Sequence, residues 1–142
     1  MKPTIIYILL ITSLTSCLNY KNKDLEGNWS SVNIDQDSFL IYNEYSIKDS
    51  CFNFVNEDFG IIEDKFTVEN NYIYLIRPDK NFEWSKITKL DSHNIYLKFK
   101  DGQTLHLEKL SQNSKFDCTI DKQEFDEFQA RQKKIFNEVK NR

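Results

Sequence analysis

Glycine, proline and cysteine are scarce in this chain of 142 residues, which contains three Gly, two Pro and three Cys. So few Gly and Pro residues exclude a collagen-like or low-complexity chain. Three isolated glycines also exclude the glycine-rich loop that holds phosphate groups in nucleotide-binding proteins. The two His residues are far apart in the sequence and no Cys-x-x-Cys pair occurs, so we expect neither a metal site nor a cofactor.

Positive charge is also in deficit. The chain has 19 Lys and Arg residues against 22 Asp and Glu residues, a net charge of −3. A nucleic-acid-binding domain needs a basic surface, so nucleic acid is not an expected partner. Neither a nucleophile elbow nor the spacing of a catalytic metal site is found, so we expect no enzymatic activity.

Aromatic side chains are abundant in contrast. Eleven Phe, seven Tyr and two Trp account for 14% of the residues. Aromatic rings bury large apolar areas, so they can fill the interior of a small domain. The length suits one domain of this kind.

The amino-terminal residues have the pattern of an export signal. Lys2 precedes an apolar stretch, Thr4–Leu14, that is too short to span a bilayer. The run Leu14-Thr15-Ser16-Cys17 resembles the lipobox of bacterial lipoproteins. The resemblance implies removal of residues 1–16 as a signal peptide, lipidation of Cys17, and attachment of the exported protein to a membrane. An uncleaved anchor helix is the alternative.

The residues around the lipidation site refine this interpretation. Leu18 stands where many lipoproteins of the inner membrane have an acidic residue, so the resemblance favours the outer membrane of the cell envelope. Residues 17–24 are expected to form a polar tether without fixed structure. Cys51 and Cys118 then remain as an even pair in an oxidising compartment, which favours a disulfide between them. Two buried thiols are the alternative.

Alternating apolar residues predict a mainly β domain over residues 25–118, with about eight short antiparallel strands. Two hairpins have a register that can be derived. Asn70-Asn71 suits a two-residue loop, and a three-residue loop ending in Gly102 keeps apolar residues opposite apolar residues. The apolar pairs predicted in this way are Phe66–Leu75, Val68–Ile73 and Leu97–Leu105.

The period of the pattern changes near residue 119. Asp121 and Glu124 match a capping box, and side chains then recur at helical spacing. We therefore predict a C-terminal helix within residues 119–142. Its stripe comprises Phe125, Phe128, Gln132, Ile135, Phe136 and Val139. We expect this stripe to pack on the outside of the β domain; an interface with another protein or with a membrane surface is the alternative.

The first strand opens with Gly27-Asn28-Trp29. Placed before a run of antiparallel strands and a final helix, this Gly-x-Trp resembles the start of the first strand in the lipocalin and lipocalin-like families. The resemblance implies a small antiparallel β-barrel in which Trp29 plugs one end. It also implies a link between barrel and C-terminal segment like the Cys51–Cys118 pair. Lys109 is the candidate for the basic residue that covers the tryptophan in that family.

The interior of the barrel is expected to contain the plug or pocket residues. These are Trp29, Phe66, Leu75, Leu97, Phe99 and Leu105. Trp84 lies where the alternation is poor, so we favour a core position for it, with a place at the rim as the alternative. The chain is shorter than a full lipocalin, and a short barrel can be filled by its own side chains, so a hollow and a packed interior both remain open.

Two functions are compatible with these features. The resemblance and the aromatic strands favour a membrane-anchored lipoprotein that binds a small apolar or amphipathic ligand, in a cavity of a few hundred Å³ lined by Phe, Tyr and Ile. The alternative is a protein-binding lipoprotein of the immunity or inhibitor type. It is motivated by residues 35–64, which hold eight acidic side chains against Lys48 alone.

The acidic segment 35–64 is either a solvated face or a surface for a cationic protein. Residues 131–142 are basic, as expected for the last turns of a helix, where cations complement the helix dipole. The candidate residues of a partner surface are Asp35, Asp37, Glu57, Asp58, Glu63 and Asp64.

Overall fold

Eight antiparallel strands close into a barrel and one helix follows them in the computed structural model, which describes residues 19–34, 39–110 and 122–141. This confirms the predicted fold class. The elements are β1 (Gly27–Ile34), β2 (Leu40–Lys48), β3 (Cys51–Asn56), β4 (Gly60–Glu69), β5 (Tyr72–Ile76), β6 (Asn81–Leu90), β7 (Asn94–Lys98), β8 (Thr104–Lys109) and α1 (Lys122–Lys140). Cys17, Asp35, Asp37, Cys118 and Asp121 lie outside the described residues, so the predictions made for them stay predictions.

Each strand pairs with its neighbours in the sequence, and β1 pairs with β8 to close the barrel. We call the end at which β1 begins the closed end. The opposite end, with the turns that follow β3, β5 and β7, is the open end. Alternate side chains point inward, and all eight strands contribute to one interior cluster of buried apolar residues.

The registers of the two predicted hairpins are confirmed. Between β4 and β5, Val68 lies opposite Ile73 and Phe66 opposite Leu75. Asn70 and Asn71 have φ values of 51° and 66°, as a two-residue primed turn requires.

The hairpin of β7 and β8 has the predicted three-residue loop. Leu97 lies opposite Leu105, and the Phe99 amide donates to the Gln103 carbonyl at 2.8 Å. Gly102 has φ +91° at the end of this loop, a conformation that side chains with a Cβ rarely adopt.

Helix α1 packs on the outer surface of β2 and β3, as predicted. Phe128 is fully buried there against Tyr42 and Val55, and its ring stacks on Tyr42 at a centroid distance of 5.7 Å. Val139, at the end of the stripe, is 41% exposed. Within the part of the chain that the structure describes, no helix has both the length and the apolar composition needed to cross a bilayer.

The segment before β1 corrects one prediction. Residues 17–24 were expected to be an unstructured tether, but residues 22–25 form a short 3₁₀ helix against the closed end. The side chain of Asn22 accepts from the Val68 amide at 2.8 Å and donates to the Phe66 carbonyl at 3.3 Å. The Tyr20 amide donates to Asn71 Oδ1 at 2.9 Å. The polar composition is typical of a linker, yet here an asparagine amide satisfies backbone groups of β4.

Candidate functional site

The closed end of the barrel is packed around Trp29, which is 1% exposed. Its indole Nε1 donates to the Leu25 carbonyl at 2.9 Å, and Nζ of the exposed Lys109 lies 5.4 Å from the centroid of the ring. Gly27 has φ +144°, a backbone conformation that residues with a Cβ rarely adopt, and this conformation favours glycine at the start of β1. The Gly-x-Trp pattern thus has a local physical reason.

The predicted interior residues divide into those that are fully packed and those that line a space. Phe66 and Leu97 are 1% exposed and belong to the same buried apolar cluster as Trp29. Leu75, Phe99 and Leu105 instead line a cavity of about 310 Å³ at the open end. The interior is therefore packed at one end and hollow at the other.

Aromatic rings dominate the wall of this open-end cavity. Its lining comprises Tyr45, Phe52, Phe54, Ile62, Asp64, Leu75, Arg77, Phe82, Trp84, Phe99 and Leu105. Trp84 is central among the rings: its centroid lies 4.8 Å from Phe52 and 5.6 Å from Phe99, both in edge-to-face geometry. Such contacts hold the rings in fixed positions around the space.

A β-bulge explains why Trp84 does not follow the alternation of apolar and polar residues in β6. Tyr74 pairs with Glu83 whereas Ile73 pairs with Ser85, so Trp84 is the extra residue of β6. The bulge lets the indole reach the cavity although its phase along the strand is irregular. Trp84 is half-buried and packs against the interior cluster, so it belongs to both core and rim.

Asp64 and Arg77 are the charged residues of the cavity wall. Asp64 is paired in register with Phe52 across β3 and β4, which places its carboxylate on the inner face. Arg77 Nη2 lies 3.5 Å from Asp64 Oδ2, and its guanidinium lies 5.8 Å from the centroid of Phe82. The two side chains differ in exposure: 19% for Asp64 and 53% for Arg77.

The cavity continues sideways into an open groove of about 580 Å³. Strand β6 pairs with β7 only from Lys86 onward. Because the start of β6 lies before this point, it is separated from the β7–β8 turn. Phe82, Trp84 and Phe99 line both spaces, and the groove adds Lys80 and Lys100 among its charged residues. A ligand could enter along this groove.

The interior wall formed by β1, β2 and β3 carries polar groups next to the cavity. Asn56 Nδ2 donates to Asn43 Oδ1 at 2.6 Å, and both residues are buried. Burial raises the pKa of Tyr45 to about 12, against the opposing effect of a hydrogen bond with Ser31. The Tyr45 hydroxyl therefore stays neutral at physiological pH.

Of the predicted acidic residues, the four that the structure describes do not all lie on one surface. Glu63 and Asp64 are neighbours in β4 and so point to opposite faces, with Asp64 inside the barrel. Glu57 accepts a hydrogen bond from Gln132 Nε2 of α1 at 2.8 Å. Asp58 lies exposed in the β3–β4 turn.

One buried ion pair was missed by sequence reasoning. Glu44 is fully buried under α1, where its two oxygens accept from Arg131 Nε and Nη2 at 2.7 and 2.8 Å. Tyr42 donates to the same carboxylate at 2.6 Å. Burial is the main cause that raises the pKa of Tyr42 strongly, and the Glu44 carboxylate raises it further. The hydrogen bonds that Arg131 donates to Glu44 raise the pKa of Arg131. The opposite charges of segments 35–64 and 131–142 were the available signal.

Cys51 lies at the start of β3, with its Sγ 3.5 Å from Glu63 Oε1. Since Cys118 lies outside the described residues, the Cys51–Cys118 disulfide stays a prediction.

Comparison with known proteins adds no assignment: no family model matches the chain, and no match is found among curated proteins or solved structures. The fold and the open-end cavity are thus the basis for a functional proposal.

Proposed function

We propose that this protein is a non-enzymatic carrier or receptor that holds a small apolar or amphipathic ligand in the open-end cavity. The observation that carries the proposal is a space of about 310 Å³, walled mainly by aromatic side chains, in a barrel whose other half is filled. Ligand sites in proteins are concave, mostly apolar spaces of about 300–1,000 Å³ with few polar groups. Eight-stranded up-and-down barrels commonly use their interior in this way.

The residues at the cavity favour an occupant of limited size. An engineered apolar cavity of about 150 Å³ takes up benzene, so roughly twice that volume accommodates one ring with a short chain. Atoms lining an empty space lack contact partners on one side, and a bound ligand restores those contacts. The Tyr45 hydroxyl and the Asp64–Arg77 pair supply polar groups that would orient it.

We propose further that the protein is exported and attached to a membrane, preferably the outer membrane, through lipid on Cys17. Tyr20, three residues later, is hydrogen-bonded to the closed end through Asn71. Three residues span at most about 11 Å, so the closed end would lie next to the lipid. The open end would then face away from that membrane and exchange ligand with the aqueous phase.

The protein-binding alternative has less support. Glu57 bonds to α1 and Asp64 faces the cavity, so fewer acidic side chains remain for a cationic protein than the sequence suggested. Asp58 and Glu63 are exposed and could still contribute to such a surface.

Two neighbouring isoleucines allow a matched test of the ligand site. Ile62 lines the cavity and is 40% exposed, whereas Ile61 precedes it in β4, on the outer face, and is 37% exposed. Ile62→Trp should fill part of the cavity and weaken binding of the neutral one-ring probe 4-phenylbutan-1-ol by about tenfold or more, a loss of roughly 1.4 kcal/mol. Ile61→Trp should leave the probe affinity unchanged in the same calorimetric titration.

Either of two results would contradict the proposed ligand site. If the wild-type protein shows no saturable binding of 4-phenylbutan-1-ol, or if both tryptophan variants bind it as the wild type does, the cavity is not the ligand site.

A further inference from the structure

We propose that the ligand's head group is a cation, an ammonium on a short aryl or alkyl chain, which binds the carboxylate of Asp64 in place of Arg77. This inference rests on the proposed function and specifies its ligand class. The juxtaposition that supports it is one largely buried carboxylate in a wall of aromatic rings, paired only loosely with a half-exposed guanidinium.

The difference in exposure between the two charged side chains decides the sign of the ligand. Asp64 is 19% exposed and Arg77 is 53% exposed. An anionic ligand that bound Arg77 would compete with Asp64 and leave a mostly buried carboxylate without its partner, which is unfavourable. A cationic ligand at Asp64 would release Arg77, whose charge already contacts solvent and needs no replacement partner.

The distance between Arg77 and Asp64 also favours a cationic ligand. Arg77 Nη2 lies 3.5 Å from Asp64 Oδ2, which is longer than the roughly 2.7–2.9 Å of a charge-assisted hydrogen bond. The guanidinium is also placed near the ring of Phe82, an alternative contact for it at the rim. An ammonium entering the cavity would therefore replace a weak contact rather than a strong one.

The aromatic wall is the second component of a cation site. Ring faces attract ammonium groups electrostatically, best for Trp, and several rings together form the cages that recognise alkylated ammonium ions. Tyr45, Phe52 and Trp84 surround this space, with Tyr45 and Trp84 centroids 6.3 Å apart. A hydrated anion gains nothing from such faces.

Three probes of nearly equal shape and different charge test the proposal on the wild-type protein. They are 4-phenylbutylamine, 4-phenylbutan-1-ol and 4-phenylbutanoate, measured by calorimetry at neutral pH. We expect the amine to bind about tenfold or more tighter than the alcohol, and the carboxylate to bind weakest.

Three single substitutions test whether Asp64 is the origin of the preference for the amine. Asp64→Asn should remove the advantage of the amine over the alcohol, whereas Glu63→Gln, its outward neighbour in β4, should retain it. Arg77→Gln removes the competing cation and should tighten amine binding. Circular dichroism and the affinity for the alcohol report whether each variant is folded. The comparison of the three probes on the wild-type protein does not depend on these variants.

The possible results distinguish a failure of the proposed cation site from a failure of the proposed ligand cavity. Equal affinities for the three probes, tightest binding of the carboxylate, or an amine preference that survives in Asp64→Asn would overturn the cation site and leave the ligand cavity in place. Weaker amine binding in Arg77→Gln would overturn the replacement of Arg77. Failure of all three probes to bind would contradict the proposed function itself.

Discussion

Replacing Arg131 by methionine is expected to lower the free energy of unfolding by about 3–5 kcal/mol, because removal of one partner leaves a buried charge without compensation. Glu44 is fully buried, and Arg131 supplies two charge-assisted hydrogen bonds to its two oxygens. Tyr42 alone cannot neutralise the carboxylate. Urea denaturation followed by circular dichroism measures the effect, and it reports at the same time whether α1 stays on the barrel.

Two further variants separate the loss of this pair from the loss of any helix charge. Lys134→Met removes a cation from an exposed pair with Glu138 in the same helix and should leave stability nearly unchanged. Adding Glu44→Gln to Arg131→Met removes the buried charge and should restore a large part of the stability. If Arg131→Met is as mild as Lys134→Met, the pair does not hold the helix on the barrel.

Replacing Cys17 by serine is expected to move the whole protein from the membrane fraction to the soluble fraction. Lipid chains contribute about 0.8 kcal/mol for each buried CH₂ group, so two or more chains hold a protein on a membrane almost permanently. Among the described residues, no helix is long and apolar enough to replace this anchor. Fractionation of cells that express the full-length chain, together with the mass of the purified product, measures the outcome.

Cys51→Ser is the matched control for this experiment, since it removes the thiol at the start of β3 and leaves the lipobox intact. It should remain in the membrane fraction. Wild-type protein in the soluble fraction, or Cys17→Ser protein still on the membrane, would contradict the lipoprotein interpretation.

The hairpins could be predicted because their register follows from local sequence. Loop length and apolar alternation allow one solution at Asn70-Asn71 and one at Gly102, and a shift by one residue would turn apolar side chains outward. The helix could be predicted for the same reason, since Phe128 and Ile135 recur at its period. These signals are local, since each lies within one hairpin or one helix.

Features that depend on distant residues could not be predicted in this way. Glu44 and Arg131 are 87 positions apart, and no local pattern links them. Asn22 resembles any linker residue until its contacts with β4 are known. Asp64 shares its phase in β4 with Ile62 and Phe66, but its charge suggested a surface position.

The volume of the interior was beyond sequence reasoning as well. The aromatic content predicts large rings inside, yet whether they meet or leave a space depends on their rotamers and on the bulge at Trp84. The packed half around Trp29 and the hollow half around Trp84 use the same residue types.

This division of the barrel is tested most directly by a ligand that quenches tryptophan at short range. The chain has two Trp residues, so Trp29→Phe leaves only Trp84 to emit and Trp84→Phe leaves only Trp29. Titration with 4-(4-bromophenyl)butan-1-ol should quench Trp84 saturably and leave the emission of Trp29 unchanged. Equal quenching of both residues, or of neither, would contradict a binding cavity confined to the open end.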